Sequence, residues 1–140
     1  METRRIYVDM VADLFHAGHV NFLRQIKLAN PDCLLYVGLM TDEEADRYKR
    51  PTILNLEERR LVVEACRYVD RVFTDAPMPI TADFIDRHDI NLVIHGDDIS
   101  DESRKYWYRE PLKRGIYREI PYTQSISTSD IIARIRARCR

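Results

Sequence analysis

With 140 residues, 45% hydrophobic and 32% charged, and a formal net charge of -1, the chain has the composition of a folded globular domain, not of a disordered or fibrous one. No apolar run reaches the ~18 residues that a membrane-spanning helix needs, and the near-neutral total argues against a nucleic-acid partner. Cys33, Cys66 and Cys139 are odd in number and form no C-x-x-C pair. They fit inert thiols in a reducing compartment, and with no leader pattern before the first strand a cytoplasmic location is expected.

Taken in chain order, residues 6–11 read as a strand. Residues 18–28 read as a helix with Phe22, Leu23 and Ile26 on one face. Pro31-Asp32 marks a turn, and 33–39 is a continuous apolar run of the kind a buried parallel strand shows. Residues 42–51 are polar and lack apolar periodicity, so a mobile loop is expected. Asn55 caps a helix over 56–67, and 69–73 is a short strand. A loop with Pro77 and Pro79 precedes a short helix over 81–87, followed by a strand at 91–95. Residues 101–114 are partly helical and 116–120 form a strand. The last helix, 127–138, opens on Ser127-x-x-Asp130, which resembles a capping box with Asp in place of Glu or Gln. Strands alternating with helices predict an α/β, Rossmann-like open parallel sheet of about five strands, helices on both faces, in one domain over 1–140. Ligands of such sheets bind beyond the carboxyl ends of the strands.

The charge is unevenly spread. Residues 101–140 hold ten Lys/Arg against five Asp/Glu, whereas the first hundred hold twelve against eighteen. A basic C-terminal third suits an anion such as a triphosphate. Arg134, Arg136, Arg138 and Arg140 end the last helix, where cations complement its dipole without any ligand.

His16-Ala17-Gly18-His19 lies between the first strand and the first helix. That spacing stacks two imidazoles one turn apart at a helix amino end, where unpaired N–H groups and the dipole attract phosphate. Gly18 admits a ligand close to the backbone. Such a pair suits phosphoryl or nucleotidyl transfer, in which the protein positions groups and stabilises charge on phosphorus. Two alternatives stand beside this: histidines that are merely at the surface, and zinc, which only His88, His95 and scattered cysteines could complete and at no ligand spacing. Gly96-Asp97-Asp98 and Ser127-Thr128 fall at the same sheet edge, which favours function. Neither G-x-G-x-x-G nor G-x-x-x-x-G-K-[ST] is present, and with four glycines neither could be hidden.

The chain resembles the cytidylyltransferases of the H-x-G-H nucleotidyltransferase superfamily. The resemblance is carried in order by 13–19 (Asp-Leu-Phe-His-Ala-Gly-His), Tyr48-Lys49 with Arg59, Arg67-Tyr68-Val69-Asp70, His95-Gly96-Asp97-Asp98 and Ile126-Ser127-Thr128-Ser129. Ala76-Pro77, Thr81 and 114–118 look closest to ethanolamine-phosphate cytidylyltransferase domains. The resemblance implies transfer of CMP from CTP to the phosphate or phosphonate of a small alcohol or amine, with release of pyrophosphate. It assigns His16, His19 and Lys49 to catalysis. To the nucleotide it assigns Met10, Val11, Asp13, His16, His19, Arg67, Gly96, Asp97, Asp98, Thr123, Ser127, Thr128 and Ser129. Within that set Asp13 orients the motif or acceptor, Asp97 and Asp98 lie near ribose and base, and Ser127 to Ser129 hold the outer phosphates. Mg²⁺ enters with CTP, no other protein-bound metal is implied, and a homodimer without nucleic acid or a membrane span is expected. Two departures stand out. Met10-Val11-Ala12-Asp13 replaces the usual Gly-x-Phe-Asp or Gly-x-Tyr-Asp, and Tyr122 stands where an arginine is usual, leaving Arg114 or Arg118 as substitutes. They bear on the acceptor more than on the reaction, and they bring a hydroxyalkyl- or aminoalkyl-phosphonate into view. An adenylyltransferase of the same superfamily and a non-catalytic nucleotide-binding domain are the other readings.

Overall fold

The computed structural model describes residues 3–122 and 126–139, and all structural statements concern these. Five strands form one sheet: β1 (Arg5–Met10), β2 (Leu34–Leu39), β3 (Arg71–Phe73), β4 (Leu92–Gly96) and β5 (Tyr117–Ile120). Their order is β3-β2-β1-β4-β5 and every pairing is parallel, as the alternation predicts. The helices are α1 (Ala17–Ala29), α2 (Asp42–Tyr48), α3 (Leu56–Glu64), α4 (Ala82–Arg87), α5 (Asp101–Trp107), α6 (Arg109–Lys113) and α7 (Thr128–Arg138).

The pleat sends alternate side chains of β1 to opposite faces. Ile6 and Val8 join Phe22, Leu23 and Ile26 of α1 and Val63 of α3 on one face. Tyr7 joins Phe84 and Ile85 of α4, Val93 and Tyr108 on the other. Tyr7 reaches across its neighbour strand at Gly38, where an added Cβ would stand 1.8 Å from the tyrosine hydroxyl. Only glycine leaves room for that crossing.

The chain reverses winding between β1 and β4. β1 follows β2 over six residues, Arg5↔Leu34 to Met10↔Leu39. It meets β4 only at Ile6↔Leu92 and Tyr7↔Val93. Beyond Tyr7 the two strands part, and a crevice opens at their carboxyl ends. This is the switch point at which open α/β sheets bind ligands.

Three elements differ from the sequence reading. Residues 42–48, expected as a loop, form α2. Thr41 and Glu44 make a reciprocal capping box, with Asp42, Glu43 and Glu44 in the first turn to complement the dipole. Only Ala45 of this helix is buried, which is why no apolar period announces it. α3 stops at Glu64, and 65–70 turn into β3. The 101–114 segment splits at Tyr108. Pro111 cannot donate to the Trp107 carbonyl four residues back, and that carbonyl accepts the Ile80 N–H at 3.3 Å instead.

The Tyr7 hydroxyl is buried without a hydrogen-bond partner. Such an orphan costs ~1–3 kcal/mol, so Tyr7→Phe is expected to hold or raise stability in urea melts. Gly38→Ala is expected to lower it by about 1–3 kcal/mol, with part of the loss recovered in the Tyr7→Phe background.

Candidate active site

The crevice is a cavity of about 510 Å³. Met10, Val11, Asp13, His19, Lys49, Gly96, Asp98, Ser127 and Thr128 of the sequence-derived set line it.

His16 is the N-cap of α1, and its Nδ1 accepts the Gly18 N–H at 3.0 Å. His19, three residues on, accepts the His16 N–H on its own Nδ1 at 3.1 Å. Two imidazoles thus take the places of Ser and Glu in a capping box. The bonds also settle the tautomers. With both Nδ1 atoms accepting, each neutral ring carries its proton on Nε2. The ring centroids are 3.9 Å apart, and Phe15 stacks on His19 at 5.3 Å. Burial, then the neighbouring His16 and Lys49, push the His19 pKa down to about 3. Burial also lowers His16, against a pull from Asp130. Both are therefore neutral N–H donors near neutral pH. A Cβ on residue 18 would lie 2.8 Å from the His16 ring, so glycine is required for the fold of the motif itself.

The amino end of α7 faces the amino end of α1. Ser127 caps α7 by accepting the Asp130 N–H at 3.1 Å. The Thr128 hydroxyl donates to the Asp13 carbonyl at 3.1 Å and sits 3.4 Å from His16 Nε2. His16 is thereby drawn to the cavity from outside its lining.

Asp13 binds backbone. Its two oxygens accept the N–H groups of Ile53 and Leu54, each at 2.9 Å. Ala12 and Leu14 on either side have left-handed backbone, φ 59° and 50°, at a cost of about 1–2 kcal/mol each. The two reversals aim the Asp13 carboxylate at the 53–54 turn, and the departure from the family pattern at Ala12 falls within this reversal.

Other residues of the set stand elsewhere. Arg67 is exposed in the turn that leads into β3, at the amino ends of the strands, and does not reach the cavity. Asp97 is exposed and accepts the Tyr122 N–H at 3.3 Å. Ser129 accepts from Arg50 Nη1 at 3.0 Å. Thr123 lies outside the described residues. Arg114 pairs with Asp86 and Glu110, and Arg118 donates to the carbonyls of Gly115 and Tyr117, so neither enters the cavity. Arg50 lines it instead, beside Lys49 at the end of α2. Among the described residues no cluster of three or more His, Cys, Asp or Glu is placed to hold a metal.

Sequence reasoning missed the floor of the cavity, where Asp9, His95 and Tyr108 line it. Tyr108 donates its hydroxyl to Asp9 Oδ1 at 2.6 Å, while Asp9 Oδ2 is buried with no partner. Burial raises the Asp9 carboxyl above the ordinary range, against the pull of Tyr108 and His95. His95 donates from Nδ1 to the Gly96 carbonyl at 2.8 Å. An acid directly after the apolar run Ile6-Tyr7-Val8, on the Tyr7 face of β1, was the available signal. Tyr48, which belongs to a segment that carries the resemblance, Tyr122, the departure from arginine, and Trp107, which no pattern marks, complete an aromatic wall.

Comparison with known proteins places these features in a family. The family model described as cytidylyltransferase-like matches residues 10–134. The chain is 41% identical over 133 residues to choline-phosphate cytidylyltransferase A of Homo sapiens, covering 94% of this chain and 36% of that protein. It is 42% identical over 142 residues to ethanolamine-phosphate cytidylyltransferase of Arabidopsis thaliana, covering 97% of this chain and 33% of that protein. The chain thus spans about a third of the length of these relatives. Among solved structures, a lipopolysaccharide core biosynthesis protein of Thermoplasma volcanium superposes with a TM-score of 0.68 at 20% identity, covering 88% of this chain and all of that one. That likeness is one of fold. Sequence order, sheet topology and the paired histidines converge with these matches: the chain belongs to the cytidylyltransferase-like family.

Proposed function

We propose that this domain transfers a cytidylyl group from CTP to the phosphate or phosphonate oxygen of a small alcohol or amine and releases pyrophosphate. One observation carries the reading: the amino ends of α1 and α7 converge within 3.4 Å, His16 Nε2 to Thr128 Oγ1, beside one cavity. Two helix amino ends together make a strong site for a polyanion. Lys49 and Arg50 lie along the same cavity. Mg²⁺ comes in as part of the nucleotide substrate. The family match supports CTP as that nucleotide.

The acceptor oxygen attacks the α-phosphorus in line. A new P–O bond forms as the bond to the β-phosphate bridge breaks, and pyrophosphate leaves with the electron pair. The Nε2–H groups of His16 and His19 donate to the α-phosphate oxygens and the leaving bridge. Charge grows there in the transition state, so preorganised donors lower the barrier. Lys49 neutralises the crowded phosphates from the end of α2. At the floor, the unpartnered oxygen of Asp9 suits an amine on the acceptor's far end, because an ammonium would satisfy both its lone pairs and its buried charge. The aromatic wall fits the same cation. An ethanolamine-phosphate-like acceptor, or an aminoalkyl-phosphonate of similar length, matches this arrangement.

Pyrophosphate release with each nucleoside triphosphate and a panel of phospho-alcohols, phospho-amines and phosphonates tests the reading. CTP with an amine-bearing acceptor is expected to turn over fastest. Preference for ATP would transfer the reading to adenylylation, and binding without release would make this a nucleotide-binding domain. Asp9→Asn is expected to raise KM for amine acceptors about 10- to 100-fold, with glycerol 3-phosphate little affected.

His19→Ala is expected to lower kcat by roughly 10²–10³-fold, with a smaller effect on CTP binding by calorimetry. Unchanged turnover in a folded variant would remove His19 from the chemistry.

The depressed His19 pKa also sets a pH dependence. The unfolded ring takes up its proton near pH ~6.5, the folded ring at about 3. Between these values the unfolded state binds more protons, so the contribution is full above the upper value and is lost as pH falls toward the lower. His19→Gln is expected to flatten the acid limb of the stability profile, and NMR of the wild-type ring should show no titration between about pH 5 and 8.

A further inference from the structure

α2 and α5 are short helices on opposite sides of the crevice, and each is thinly anchored. Ala45 is the buried residue of α2, and α5 has none. The ring of Tyr48, last residue of α2, meets the ring of Trp107, last residue of α5, edge to face at 5.9 Å. Both rings line the cavity. Partial burial, then the charges of Asp9 and Asp98, raise the Tyr48 phenol pKa.

Trp107 has a firm seat. Its carbonyl accepts the Ile80 N–H, and the next residue, buried Tyr108, is tied to Asp9. Tyr48 sits instead at the end of its helix. Lys49 follows it as the C-cap of α2, and the N–H groups of Lys49 and Arg50 both donate to the Ala45 carbonyl, at 2.9 and 3.1 Å. Past this point the chain leaves the helix.

We propose that Tyr48 is a positioning residue: docked on Trp107, it fixes the last turn of α2 and so sets where Lys49 and Arg50 enter the cavity. The path runs from the floor to the rim through adjacent residues, Asp9 to Tyr108, Trp107 to Tyr48, then Lys49. An acceptor seated on Asp9 therefore bears on the residue that places the phosphate-binding lysine. The kinetic consequence rests on the transfer reading above; the structural consequence does not.

Amide exchange by NMR on the full chain reads the structural part. Tyr48→Ala and Trp107→Ala are each expected to speed exchange at Lys49 and Arg50 about 2- to 10-fold, with no further gain in the double variant. Tyr48→Phe keeps the ring and is expected to match wild type, whereas Tyr48→Leu keeps bulk without the aromatic edge and is expected to behave as Tyr48→Ala. The thermal midpoint should change little, because Tyr48 is 45% exposed. Trp107, the one tryptophan in the chain, should shift its emission to the red in Tyr48→Ala. In kinetics, Tyr48→Ala is expected to lower kcat by a similar factor and to cost clearly less in a Lys49→Ala background, where only the placing of Arg50 remains to be lost. Unchanged exchange at Lys49 and Arg50, additive effects in the Tyr48/Trp107 pair, or a full Tyr48→Ala loss in the absence of Lys49 would each overturn the proposal. Absence of turnover in wild type, with the exchange pattern intact, would overturn the transfer reading and leave the positioning role standing.

Discussion

The guanidinium of Arg59 is fully buried, and the segments that leave the carboxyl ends of β1 and β2 are tied to it. Nη1 donates to the carbonyls of Val11 and Met40, both at 2.8 Å, just past the ends of β1 and β2. Nε donates to the Leu54 carbonyl ahead of α3 at 3.1 Å, and Nη2 to Asp42 in the first turn of α2 at 2.7 Å. A buried cation stripped of its partners destabilises a fold by about 3–5 kcal/mol. Here the guanidinium is met by four groups from three segments, at Val11, Met40 to Asp42 and Leu54, so those segments cannot drift independently. Asp13 clamps the 53–54 backbone from the other side. Together the two charges, one donating to carbonyls and one accepting from amides, hold the turn that aims the histidines.

That scaffold borders a cavity whose lining holds charge of both signs, Lys49 and Arg50 on one hand and Asp9 and Asp98 on the other, with the paired imidazoles and the amino end of α7 close by. The substrate proposed for it, with phosphates and an amine, carries both complements. The imidazoles are neutral because burial disfavours a second charge beside Lys49. They act as hydrogen-bond donors whose protons are directed by the backbone bonds at Nδ1. In the proposed reaction, long-range attraction of the phosphates would fall to the helix ends and to Lys49 and Arg50.

Much of the fold was legible because its signals are local. Alternation of apolar strands with helical periodicity specified a parallel α/β sheet, and short-range caps such as Asn55, Thr81 and Ser127 marked helix starts. The paired histidines and the Ser127-Thr128 turn were legible for the same reason: an N-cap is a feature of adjacent residues. α2 escaped because it has a cap but hardly any buried face, and Thr41 to Glu44 was its only written signal.

What tertiary structure decided is where separate segments meet. Arg67 carried a family pattern, yet the turn before β3 places it at the opposite edge from the ligand crevice. Arg50 carried none, yet the end of α2 brings it to the cavity and to Ser129, 79 residues on. Asp9 and Tyr108, 99 residues apart, form the floor only because β1 and β4 are neighbours in the sheet and part beyond Tyr7. Sequence by itself determined the elements, their caps and the chemistry of the histidine turn, since each depends on residues within a few positions of one another. Strand order and the divergence of β1 from β4 decided the floor of the cavity, because a buried carboxylate acquires its partners, its raised pKa and its unpaired oxygen only from chain segments that local pattern cannot bring together.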